Sequence, residues 1–149
     1  MTLSKENASF LKEKYTFFSD PNTIKKASKK LCKLLPSPSS YDRLVGVELG
    51  SVALASLLSL NSKKPSLLLR KASKKYGTLK LIEGNFNKHE TVVIIEDVLH
   101  SEEQISETLE KLETAELNVH SIITYKNFLS IENFKNIPII SLISEKNEV

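Results

Sequence analysis

Glu96 and Asp97 stand side by side at the end of the apolar run Val92-Val93-Ile94-Ile95, and a helix start follows within a few residues. A run of β-branched residues of this kind reads as a parallel strand buried on both faces. Carboxylates delivered to the C-terminal end of such a strand, just ahead of a helix, can receive the hydroxyls of a sugar phosphate. What comes next is acidic as well: Val98-Leu99-His100-Ser101-Glu102-Glu103-Gln104. Ser101 and Gln104 have the spacing of a capping box, in which the serine side chain bonds helix amides and the glutamine reaches back. Glu102 and Glu103 then fall in the first turn, where their charge suits the helix dipole. Amide donors that would serve a phosphate are therefore expected to be satisfied internally, beside two carboxylates. His100 is the exception, because a protonated imidazole there can meet an anion. His89, His100 and His120 show no metal-ligand spacing and have no cysteine partners, so none is assigned to a metal.

The elements that must position these groups follow from periodicity and turn chemistry. Asp20-Pro21-Asn22 reads as the cap and first turn of a helix over 21–35, which carries Lys25, Lys26, Lys29, Lys30 and Lys33. A turn-rich connector over 36–40 leads to a short buried strand at 44–47. Residues 52–58 are apolar nearly all round and are expected to form a buried helix. A second strand covers 66–70, and the polar, glycine-punctuated stretch 71–84 reads as an exposed loop or hairpin holding Lys71, Lys74, Lys75 and Lys80. Further strands are expected at 91–96, 119–124 and 137–143. An amphipathic helix over 102–115 has Ile105, Leu109 and Leu112 on one face. Strands alternating with helices imply βαβ units, hence an α/β fold with a mainly parallel central sheet flanked by helices.

Composition bounds the rest. At 149 residues and 40% hydrophobic content, residues 1–149 are expected to form a single domain with a sizeable core. No apolar run approaches the roughly 20 residues that span a bilayer, and no signal-peptide apolar region opens the chain. The single Cys32 cannot build a disulfide framework and is expected to be a small buried hydrophobe. Together these features lead to the expectation of a cytoplasmic protein that does not engage membranes. The net charge of +3 is modest. The lysine-rich helix leaves nucleic acid as a conceivable partner, although no aromatic residues interleave with it.

Three segments in order resemble the orotate phosphoribosyltransferases. Gly46-Val47-Glu48-Leu49-Gly50-Ser51-Val52-Ala53-Leu54-Ala55 is similar to that family's pyrophosphate loop, with Ala53 where a proline is usual. Arg70-Lys71-Ala72-Ser73-Lys74-Lys75-Tyr76-Gly77-Thr78, followed by Ile82-Glu83-Gly84, resembles its mobile catalytic loop. The strand and acid pair at 92–97 is the third. The resemblance implies a type I phosphoribosyltransferase-like fold acting in pyrimidine biosynthesis; Leu11 to Asp20 leave little room for the family's N-terminal hairpin, so a reduced hood is expected. It assigns catalysis to Arg70, Lys71 and Lys74, whose cations would meet the charge growing on departing pyrophosphate. It gives phosphoribosyl pyrophosphate to Glu48, Leu49, Gly50 and Ser51, to the acids Glu96 and Asp97, and to His100 and Ser101. Mg²⁺ would be required if the protein is active. A loop that enters the neighbouring subunit's site implies a homodimer.

The chain also departs from the family pattern. The Thr- and Gly-rich phosphate loop is replaced by residues 98–104, and two carboxylates near a dianionic phosphate oppose its binding. Lys126 stands where the family has the arginine that clamps orotate, so a bidentate fork becomes a point charge. The reading that follows is a divergent member with degenerate phosphoribosyl pyrophosphate and orotate sites. It would have weak or no transferase activity, as in a pseudoenzyme, and a regulatory or binding role. An active orotate phosphoribosyltransferase and a nucleic-acid-binding regulator on the same fold are the alternatives.

Overall fold

The computed structural model describes residues 5, 16–72 and 80–144. Asp20 caps helix α1 (Pro21–Cys32), its carboxylate accepting hydrogen bonds from the Asn22 amide and the Thr23 hydroxyl. Strand β1 (Arg43–Val47) follows, then α2 (Gly50–Ser62), β2 (Ser66–Leu69) and the two-residue β3 (Ile82–Glu83). Beyond them lie β4 (Thr91–Leu99), α3 (Glu102–Thr114), β5 (Asn118–Asn127), the two-residue β6 (Asn133–Phe134) and β7 (Ile137–Ser144). Among the described residues the strands form one sheet in the order β3-β2-β1-β4-β5-β7-β6. The five inner strands are parallel, and β3 and β6 run antiparallel at the edges. The α/β architecture with a mainly parallel sheet is as the sequence implies.

Alternation along β4 divides the core. Val92 and Ile94 face one cluster, with Ile105 and Leu112 of α3; Val93 and Ile95 face another, with Leu31 of α1 and Leu54, Ala55 and Leu58 of α2. Both faces are thereby covered, which is why β4 tolerates four consecutive apolar β-branched residues. Gly46 lets α2 approach β1: a Cβ there would stand 2.7 Å from the Ser51 carbonyl oxygen and 2.8 Å from the Ala55 Cβ.

Several boundaries differ from the sequence expectation. β4 continues through Val98 and Leu99, because both are buried and pair with Lys126 and Asn127 of β5. The acids therefore sit within the strand rather than at its end. β5 likewise runs on to Asn127. Helix α1 stops at Cys32 rather than at residue 35. Cys32 is only partly buried, and burial still pushes its thiol up. Helix α2 is not buried all round: Gly50, Ser51, Leu54, Ala55 and Leu58 face the sheet, whereas Ala53 is exposed and Leu60 is 78% exposed. β6 has no counterpart among the expected strands.

Candidate functional site

β1 and β4 are neighbours, but β1 leads through α2 to one side of the sheet and β4 leads through α3 to the other. The chain reverses direction across the sheet between their C-terminal ends, which is where open α/β sheets leave a crevice. A cleft of about 320 Å³ occupies that position. Its walls include Val47, Glu48 and Leu49 after β1, Glu96 and Asp97 of β4, His100 and Ser101, and one face of α3.

Ser51 ties the two halves together. It lies in the first turn of α2 and is 1% exposed. Its hydroxyl accepts the Asp97 amide proton at 2.9 Å and has Glu96 Oε2 at 2.9 Å and Asp97 Oδ1 at 3.1 Å as acceptors. One hydroxyl proton serves one carboxylate at a time, so the two acids share it. Asp97 Oδ1 also accepts from the Val98 amide at 2.8 Å. The Glu48–Leu49 peptide is cis. Glu48 accepts a hydrogen bond from the Lys71 amide, which brings the segment after β2 to the cleft. Lys71 lines it.

The other assigned residues are distributed as follows. Arg70 turns away from the cleft: its Nε donates to Glu83 Oε1 at 3.1 Å, across the β2–β3 ladder. Lys74 lies outside the described residues. Leu49 is 69% exposed at the cleft mouth, and Gly50 opens α2. Lys126 Nζ lies 5.4 Å from the centre of the Phe128 ring and is not among the residues lining the cleft. The lysines of α1 are all exposed.

The segment after the acids behaves as a capping box, with one change. Ser101 Oγ accepts from the Gln104 amide at 3.1 Å. Gln104 reaches back one residue further than the standard geometry, its Oε1 accepting from the His100 amide at 3.0 Å while its Nε2 donates to the Val98 carbonyl at 2.9 Å. Two amides of the segment thus bond to side chains of the protein itself. Glu103 lines the cleft, as expected; Glu102 does not, and Glu107, one turn on, takes its place. Glu107, Thr108 and Lys111 are cleft residues that motif spacing missed. Helical geometry was the available signal, since 103, 107 and 111 recur every four positions on one face.

Five carboxylates (Glu48, Glu96, Asp97, Glu103 and Glu107) therefore line the cleft against the two ammonium groups of Lys71 and Lys111. Among the described residues, no group of three or more His, Cys, Asp or Glu side chains is arranged to hold a metal ion. Glu96 and Asp97 are the adjacent carboxylates that would hold a Mg²⁺ brought in by a diphosphate, an ion that usually keeps several of its waters. No helix among the described residues is long and apolar enough to cross a membrane.

No protein-family model matches the chain. It is 30% identical over 132 residues to the orotate phosphoribosyltransferase of Methanococcus maripaludis, covering 83% of this chain and 71% of that protein. It is 38% identical over 96 residues to the orotate phosphoribosyltransferase of Methanocella arvoryzae, covering 64% of this chain and 54% of that one. The chain thus spans about half the length of several curated relatives that it matches. Its structure superposes on that of orotate phosphoribosyltransferase from Aeropyrum pernix with a TM-score of 0.69 at 21% identity, over 87% of this chain and 76% of that one. The fold is that of the type I phosphoribosyltransferases. The segment after β1 and the acid pair of β4 thus lie on the expected scaffold, most of the basic segment 70–78 falls outside the described residues, and the chain belongs to the orotate phosphoribosyltransferase family.

Proposed function

We propose that this protein is an orotate phosphoribosyltransferase relative in which transfer chemistry is weak or lost and the remaining cleft serves binding or regulation in pyrimidine metabolism, in the cytoplasm. One observation carries this reading. Where a 5′-phosphate needs amide donors, His100 and Gln104 already give theirs to side chains, and Glu103 and Glu107 add negative charge. A phosphate entering there loses hydrogen bonds and meets like charge at once. The orotate side is weakened in parallel, because Lys126 offers a point charge and lies against Phe128.

The experiment is a calorimetric titration with phosphoribosyl pyrophosphate and Mg²⁺, followed by an assay for orotidine 5′-phosphate. The expected result is a dissociation constant well above the micromolar range and no measurable turnover. Micromolar binding with turnover refutes the proposal and makes the protein an active, Mg²⁺-dependent orotate phosphoribosyltransferase. Lys71 on the cleft wall, fastened through its amide to Glu48, is what favours that second reading.

The protein acts as a homodimer in either case. Ala53, Leu57 and Leu60 recur at helical spacing along the outer side of α2, and Ala53, Leu60 and the preceding Leu49 are exposed. An apolar row of this length on a water-facing helix suits a two-fold contact with a second copy. Sedimentation at micromolar concentration is expected to give twice the 16.7 kDa chain mass. A single species at the chain mass rules the dimer out.

A further inference from the structure

Lys111 belongs to the last turn of α3, yet its ammonium bonds across to a different part of the chain. Nζ donates to the Lys71 carbonyl at 2.7 Å and reaches the Arg70 carbonyl at 3.4 Å. A lysine near a helix C-terminus already has a local reason to be there, since its charge suits the dipole. Two backbone acceptors about 40 positions away in sequence are not part of that reason. They belong to the stem of the basic segment, which is also held elsewhere: the Arg70 amide donates to the Leu81 carbonyl at 2.7 Å, and the Lys71 amide donates to Glu48. The side chain separates two spaces as well. It lines the acid-rich cleft on one side and, on the other, a cavity of about 460 Å³ among Ile82, Gly84, Phe86 and Thr114.

We infer that Lys111 is a positioning residue. By bonding the carbonyls of Arg70 and Lys71 from the α3 side, while Glu48 holds the Lys71 amide from the β1 side, it fixes the stem between two elements. It thereby sets the Lys71 ammonium on the cleft wall. Its importance for binding rests on the cleft keeping some affinity for the pyrophosphate group, however weak, under either reading above; the clamp itself does not. Lysine suits the task because its three donors sit on a long stem, so one bonds each carbonyl while the charge still opposes the cleft carboxylates.

Hydrogen exchange at the Lys71 amide, with the β4 amides as reference, tests the clamp. Lys111→Met is expected to speed exchange at Lys71 by about tenfold with β4 unchanged, and Lys111→Arg to restore most of the protection. Unaltered exchange at Lys71, or equal acceleration throughout the protein, overturns the inference. A second arm uses inorganic pyrophosphate with Mg²⁺, followed by NMR. Lys111→Met and Lys71→Met are each expected to weaken binding, and the double variant to weaken it little further, because the first acts through the second. Fully additive losses overturn positioning through Lys71. If the wild-type protein does not bind pyrophosphate, the ligand reading fails, and the exchange result still decides the clamp.

Discussion

Gly46→Ala is expected to destabilise the protein by about 2 kcal/mol, since overpacking a tight contact commonly costs between 1 and 3. The added methyl would have to displace the Ser51 carbonyl, the Ala55 Cβ and the Val52 Cα, all standing within 2.9 Å of its position. Two of these are backbone atoms in the first turn of α2, so the strain cannot be relieved by a rotamer change. For a domain of this size the loss corresponds to a melting temperature roughly 4–8 °C lower. The damage should not stay local. Ser51 bridges Glu96 and Asp97, and a displaced α2 removes the hydroxyl that both acids share. Differential scanning calorimetry reads the stability. A variant melting within about a degree of the wild type would show that α2 yields freely and that the contact with β1 does not hold the site.

Neutralising the α3 wall of the cleft should have the opposite sign, on binding. Glu103→Gln combined with Glu107→Gln keeps the side-chain shapes and removes two negative charges. Like charges about 6 Å apart at an effective dielectric of 20 repel by roughly 3 kcal/mol. Both glutamates are exposed, so screening reduces that severalfold, to less than about 1 kcal/mol each. The pair is then expected to raise affinity for phosphoribosyl pyrophosphate by about tenfold. The gain should shrink as salt is added, because it is electrostatic. An unchanged dissociation constant at low salt would locate the obstacle elsewhere, in the amides of His100 and Gln104 that are bonded internally.

The scaffold was legible because the inner strands announce themselves by short apolar runs, mostly β-branched, and α1 and α3 by a cap or a period. Thr91 to Ile95 and Ile105 to Leu112 are examples. Boundaries were less so. Val98-Leu99 looks like the start of a loop after two acids, but both residues are apolar and find buried places, so the ladder continues through them. Helix α2 misled for a related reason: an all-round apolar surface signals burial without saying against what, and Leu60 faces outward in the single chain. At the site, the sequence delivered Ser51, Glu96 and Asp97 as members of separate segments. Only the switch in strand order puts the serine between the acids. Arg70 was assigned to catalysis by the family resemblance, and its partner Glu83 emerged only from the β2–β3 pairing. Lys111 carried no motif at all; its role depends on a contact with backbone carbonyls, which side-chain patterns do not encode.

The two-residue ladders of β3 and β6 carry a consequence for solubility. A parallel sheet left open at its flanks offers a row of free amides and carbonyls to any passing chain. Among the described residues each flank carries a two-residue strand that runs against the direction of its neighbour. Crowded copies thereby meet a margin already occupied beside Leu68–Leu69 and Ile137–Pro138, which weakens edge-to-edge pairing at those positions.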